Sequence, residues 1–219
     1  MKETALTPQQ FQAAVQNLVD ISDTLEALPP MSLASLSPEE TLIFSVDINN
    51  GFTKFGPMSS DRIGEIIPTT ADFVNRSIKS GYKVIGFTDT HTSDSPELRA
   101  FPTHCLEDDP ESALVDELSA IDRVYPKNST NAFFAGGQNL VSTAIKNYVV
   151  TGCCTDICIY QFALSLRAYL NHNNFEGRVI VPLSLVETYD GPGHNAALFN
   201  LVFAAGMMQN GIEVVADFT

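Results

Sequence analysis

The chain has 219 residues, 44% of them hydrophobic and 17% charged, and its 12 Lys+Arg against 26 Asp+Glu give a formal net charge of −14. That length and composition suit one folded domain with a closed core, and so strong a negative field repels phosphate backbones and anionic headgroups, so neither nucleic acid nor membrane is an expected partner. No apolar run reaches the roughly 18 residues a membrane span needs, and the opening MKETALTPQQ lacks a basic region followed by an apolar one, so a cytoplasmic location is expected.

Thr7 and Pro8 provide an N-cap and a first helical position, and Phe11, Val15, Leu18, Ser22 and Leu25 then recur at helical spacing up to the stop at Pro29 and Pro30. The apolar stripe of this helix needs cover from the same core or from a neighbouring subunit, and a homo-oligomer is expected. A Ser/Pro-rich stretch through Ser37, Pro38 and Glu39 follows. It divides an N-terminal helical extension and linker, 1–40, from a catalytic-sized domain, 41–219.

Beyond it, short apolar runs of strand length (Leu42 to Val46, Lys83 to Thr88, Tyr148 to Thr151, Val179 to Val181, Ile212 to Val215) alternate with helical stretches at Ile66 to Ser80, Asp156 to Leu170 and Asn195 to Met208. Such alternation predicts an α/β fold, a three-layer α/β/α arrangement with a mostly parallel central sheet. Ligands then bind outside the carboxyl ends of the strands, so polar residues there are the ones to inspect.

The first strand runs into Asp47, a carboxylate placed to act as a base or merely to cap the next turn. The second leads into FTDTHTSDSPELRAFPTHC, where Asp89, His91, Glu97 and His104 offer nitrogen and oxygen ligands of the kind Zn²⁺, Mn²⁺ or Fe²⁺ accept. In VYPKNSTNAFF, Lys127 stands before aromatics, where a lysine can hold a nearby thiolate. The segment YVVTGCCTDICIY places Cys154 and Cys158 four apart at the start of a helix, whose N–H groups and dipole lower a thiol's pKa. Cys158 is therefore a candidate nucleophile, although buried cysteine is also a common core residue. With Cys153 in the same short segment, disulfide pairing is disfavoured and reduced thiols fit better. His194, in DGPGHNAA, reads as a structural residue at a helix start rather than a ligand.

In combination and in this order, VDINNGF, FTDTHTSDSPELRAFPTHC, the lysine before NSTNAFF, and TGCCTDICI resemble the isochorismatase-like cysteine hydrolases, in particular the nicotinamidases of that family, over roughly residues 41 to 216. The resemblance implies a triad of Asp47, Lys127 and Cys158, with an oxyanion hole from the backbone N–H groups of Cys154 and Cys158 beside a cis Cys153–Cys154 bond. It implies one divalent ion, zinc first with manganese or iron as substitutes, on Asp89, His91 and His104, with Glu97 as an additional carboxylate. Phe52 and Phe101 match aromatic positions that flank the substrate ring. Thr130 stands where many nicotinamidases have tyrosine, so Phe133 or Phe134 is expected to cover the ring, and Phe101 stands where tryptophan is frequent. The implied reaction is metal-dependent deamidation of nicotinamide, a small-molecule amide, through a thioester. The alternatives are a metal-independent relative acting on another small amide or carbamoyl group, and a catalytically silent binding protein of the same fold.

Overall fold

The computed structural model describes residues 6–219; the first five residues of the expected N-terminal extension lie outside it. The strands are β1 (Thr41–Val46), β2 (Lys83–Asp89), β3 (Val124–Lys127), β4 (Asn147–Cys153), β5 (Arg178–Pro182), β6 (Val186–Glu187) and β7 (Glu213–Val215). They form one seven-stranded sheet in the order β3-β2-β1-β4-β5-β7, with β6 beside the end of β4, and every pairing is parallel. The longer helices are α1 (Pro8–Glu26), α2 (Ile67–Lys79), α3 (Tyr160–His172) and α4 (Ala196–Gln209).

Because successive side chains of a strand point to opposite faces, each inner strand serves two cores. Phe44 and Val46 of β1, with Tyr148 and Val150 of β4, pack against Phe162 and Leu166 of α3 and Met207 of α4. Ile43 and Val149, one residue out of step, pack on the other face against Phe73 and Val74 of α2. The layers expected from the strand–helix alternation are thus filled by near-continuous apolar runs, as a sheet covered on both sides requires.

α1 starts where Thr7 and Pro8 predict, with a capping box between Thr7 and Gln10, and ends at Glu26. None of its residues is buried, and Phe11 remains 61% exposed, so the stripe is only partly covered, on the side where the helix packs against α4. The stretch expected as a linker packs against the core. Leu33 and Leu36 are buried in the α2-side core, and Met31 and Leu33 donate their N–H groups to Asp217 and Thr219 carbonyls at 2.8 and 2.9 Å. The Tyr82 hydroxyl lies 2.7 Å from the carbonyls of both Leu33 and Leu36. Among the described residues no helix is long and apolar enough to cross a membrane.

One glycine fixes the approach of the two central strands. Gly152, opposite Val46 in the β1–β4 register, has φ +119°, and a Cβ there would sit 1.9 Å from the Val46 carbonyl oxygen. Gly152→Ala is expected to cost about 3 kcal/mol or more, from left-handed strain plus overpacking against immovable backbone. Denaturant unfolding measures this, and an unchanged midpoint would contradict the close approach.

Candidate active site

Strand order brings the chemistry together. β3, β2, β1 and β4 are neighbours, and their carboxyl ends deliver Lys127, Asp89, Asp47 and the Cys153–Cys154 step to one edge. Asp47 has φ +59°, which turns its side chain back over the strand ends, where Oδ1 accepts the Asp89 N–H at 2.9 Å. Asp89 and Lys127 are direct register partners, and the Lys127 ammonium ion-pairs with both Asp47 (2.8 Å) and Asp89. The same Nζ lies 3.9 Å from Cys158 Sγ. Lys127, Asp47 and Asp89 are all at most 1% exposed, and Cys158 is 4% exposed. The peptide bond between Cys153 and Cys154 is cis.

Cys158 does not sit in the regular helix expected from Asp156 onward. Thr155–Ile159 form a wider π-helical turn, in which the Ile159 N–H reaches the Cys154 carbonyl at 3.2 Å, and α3 begins only at Tyr160. Single π turns inside helices are frequent at functional sites. This turn holds Cys154 and Cys158 on the wall of one cavity.

The electrostatics differ from those of a freely ionised thiolate. Burial pushes the Cys158 thiol up, and Lys127 only partly offsets that. Burial also pushes Asp47 up to about 7, with Asp89 adding to the rise and Lys127 opposing it. Burial works against the charge of Lys127, yet Asp47 and Asp89 on either side keep it protonated. A protonated thiol beside a carboxylate that titrates near neutrality is a donor–acceptor pair, with a fixed cation to stabilise the thiolate that proton transfer creates.

Next to this cluster, Asp89, His91 and His104 are buried and each offers one ligand atom, all within 4.8 Å of one another. The backbone arranges this. His91 N–H bonds to the Cys105 carbonyl and Glu107 N–H to the His91 carbonyl, both at 2.8 Å, so the intervening loop returns His104 to the end of β2. His104 Nδ1 lies 2.7 Å from the Pro102 carbonyl and His91 Nδ1 lies 3.3 Å from Asn128 Oδ1, which leaves each Nε2 facing inward. His91 Nε2 is buried with no hydrogen-bond partner, and Asp89 Oδ2 is 3.5 Å away. An orphaned imidazole nitrogen beside a carboxylate and a second imidazole, each held from behind by an oxygen acceptor, fits a divalent transition metal.

The cavity beside these groups is lined by Phe52, Met58, Phe101, Ile157 and Tyr189 together with Asp89, His104 and Cys158. Phe52 and Phe101, expected to flank a substrate ring, both line the cavity, with ring centroids 5.5 and 6.2 Å from that of His104. Glu97 lines the cavity outside the Asp–His–His group; its Oε2 accepts the Thr130 N–H at 3.1 Å, and its Oε1 is buried without a partner. Phe133 is a correction. It does not line the cavity but packs into the α3-side core against Tyr169, at 5.4 Å between centroids, and Thr130 occupies the lining position nearby. His194 is held as a structural residue would be, although the N-cap of α4 is its neighbour Asn195. Tyr189 is a wall residue the sequence reading missed. Its only signal is its place just after β6, a strand of two residues that is too short to show alternation.

The isochorismatase domain model matches residues 41–214, and the chain belongs to the isochorismatase family of hydrolases. Within that family it is similar to nicotinamidase 1 of Arabidopsis thaliana, 28% identical over 164 residues. That match spans 66% of this chain and 65% of the relative, just under two thirds of its length. The fold is similar to that of N-carbamoylsarcosine amidase from Thermoplasma acidophilum, with TM-score 0.65 and 23% identity over 80% of this chain and 95% of that one. It is also similar to that of pyrazinamidase of Pyrococcus horikoshii in complex with zinc, with TM-score 0.62 and 18% identity over 80% and 98%.

Proposed function

We propose that the protein is a cysteine amidohydrolase that deamidates a small neutral aromatic amide, with nicotinamide as the reference substrate, using Asp47, Lys127 and Cys158. The observation that carries this reading is the buried Lys127 ammonium, 2.8 Å from Asp47 and 3.9 Å from the Sγ of Cys158, a residue that itself lines an aromatic-walled cavity. Asp47 takes the thiol proton, Lys127 stabilises the thiolate, and the sulfur attacks the amide carbon. The backbone N–H groups of Cys154 and Cys158 are assigned to the developing oxyanion, where fixed donors cost little reorganisation. Asp47 returns its proton to the departing ammonia and then activates the water that cleaves the thioester.

Asp89, His91 and His104 would hold a divalent ion, zinc first among those that suit the ligands, with Glu97 close by. When bound, it supplies a Lewis-acidic point that orients and polarises the substrate ring. The similarity to a nicotinamidase and the fold shared with a zinc-bound pyrazinamidase support this choice of substrate and metal. Among the described residues lining the cavity there is no arginine or lysine, while Asp89 and Glu97 are present, which disfavours carbamoyl substrates that carry a carboxylate.

The test combines elemental analysis, nicotinamide kinetics and alkylation on one preparation. The protein is expected to bind about one divalent ion per chain. His91→Ala, or chelation, is expected to lower kcat/KM by about 100-fold and to leave the rate of Cys158 alkylation within about twofold, because the thiol is governed by Asp47 and Lys127. Full-rate deamidation by metal-free protein, unaffected by chelator or added Zn²⁺, would overturn the metal assignment and leave the metal-independent amidohydrolase in front.

A further inference from the structure

The nucleophile turn carries a second polar side chain with no part in the chemistry above. Asp156, two residues before Cys158, has its side chain 5% exposed and paired with His194. Its Oδ1 accepts the Thr188 hydroxyl at 2.6 Å, and its Oδ2 lies 2.9 Å from His194 Nε2. The other ring nitrogen, His194 Nδ1, lies 2.8 Å from the Tyr189 carbonyl oxygen. The imidazole is stacked on the Tyr189 ring at 4.0 Å between centroids and 5° between planes, and its far side is covered by Phe199 of α4 at 3.9 Å. Thr188, the residue before Tyr189, is fully buried. The loop that presents these groups is closed by reciprocal Gly191–His194 backbone bonds, each 2.9 Å.

Tyr189 is the one member of this assembly that reaches the cavity. Its backbone is pinned at Thr188 and at its own carbonyl, and one ring face is occupied by His194, so the rest of the ring is presented to the ligand in one orientation. The geometry points to Tyr189 as the residue that selects a planar ring in the substrate, and to the Asp156–His194 pair as a positioning device that locks this wall to the nucleophile turn. This rests on the amidohydrolase reading for the identity of the substrate, but the wall and its anchor exist independently of it. A flat, rigid side chain held from behind recognises a flat ligand at little cost in ordering, whereas a loose one does not. Because Asp156 and Cys158 share one π turn, the wall is also registered against the attacking sulfur.

The experiment uses two readouts. Nicotinamide kinetics are measured on the parent, Tyr189→Ala, Tyr189→Phe and His194→Phe; the last keeps a ring between Tyr189 and Phe199 while deleting both hydrogen bonds. Separately, Cys158 is modified with iodoacetamide and with its N-phenyl derivative, and the ratio of the two rates reports ring recognition without any turnover. Tyr189→Ala is expected to raise KM about tenfold with kcat within about threefold, and to lower the aryl-to-alkyl ratio by a similar factor. Tyr189→Phe is expected to restore most of both, and His194→Phe to shift both part-way with kcat nearly constant. Should the alanine variant melt, Tyr189→Leu keeps the bulk without a flat face and is expected to show the same loss of ratio. Unchanged KM and ratio in the alanine or leucine variant would overturn the role of Tyr189, and an effect there with none in His194→Phe would overturn the positioning pair. A parent that hydrolyses no amide yet prefers the aryl reagent would refute the substrate while supporting the wall.

Discussion

Cys158→Ala is expected to lower kcat/KM for amide hydrolysis by about 10⁴-fold or more while leaving unfolding within about 1 kcal/mol of the parent. The size follows from the role, since without a nucleophile the fixed oxyanion donors and the binding cavity have no covalent step to assist. The small effect on folding follows from the site. Cys158 is buried in the α3-side core, where burial disfavours the thiolate in any case, and alanine removes one sulfur without stranding a charge. Cys105→Ala serves as the control, because Cys105 is buried outside the cavity lining and is expected to be dispensable for turnover. Mass spectrometry of acyl-enzyme trapped at low pH should place the adduct on Cys158. Hydrolysis at the parent rate by Cys158→Ala would remove the thioester from the mechanism.

Lys127→Met should be harmful twice over. The ammonium is wedged between Asp47 and Asp89, and its removal leaves two carboxylates facing each other in the interior, a loss of about 3–5 kcal/mol. The thiol loses the one cation that offsets burial, so its pKa rises further and alkylation of Cys158 near neutral pH should slow by about tenfold or more. Thermal melting and peptide-resolved alkylation separate the two effects. Unchanged alkylation in a folded variant would take Lys127 out of the triad.

Legibility of this fold in the sequence follows from the lengths of its elements. β1 and β4 are fully buried runs of six and seven residues, rich in β-branched and aromatic side chains and too short for a buried helix, which makes them legible as strands. β3 is a four-residue edge strand containing Pro126, with three of its four residues at least partly exposed, so Lys127 was visible only as a residue at a mouth and not as the register partner of Asp89. The metal-like group was legible because its three members fall between Asp89 and His104 in one loop. Phe133 was misplaced because aromatic residues near a site and aromatic residues of a core have the same sequence signature. Leu33 and Leu36 were hidden by the serines and prolines around them, which read as a linker although the backbone is stitched to the C-terminal strand region. The Asp156–His194 contact joins residues 38 apart through side chains alone, and no local pattern announces it.

The strand order has a metric consequence. Adjacent strands of a sheet are held about 4.8 Å apart by their hydrogen bonds, so the end of β2, which carries Asp89, and the end of β4, which leads to Cys158, are separated by two such steps, roughly 9–10 Å. Side chains then close that gap, since the one Lys127 ammonium reaches Asp89 and lies 3.9 Å from Cys158 Sγ. Loop substitutions can reshape the slot around these groups, while the strand ends beneath them keep a spacing set by backbone hydrogen bonds.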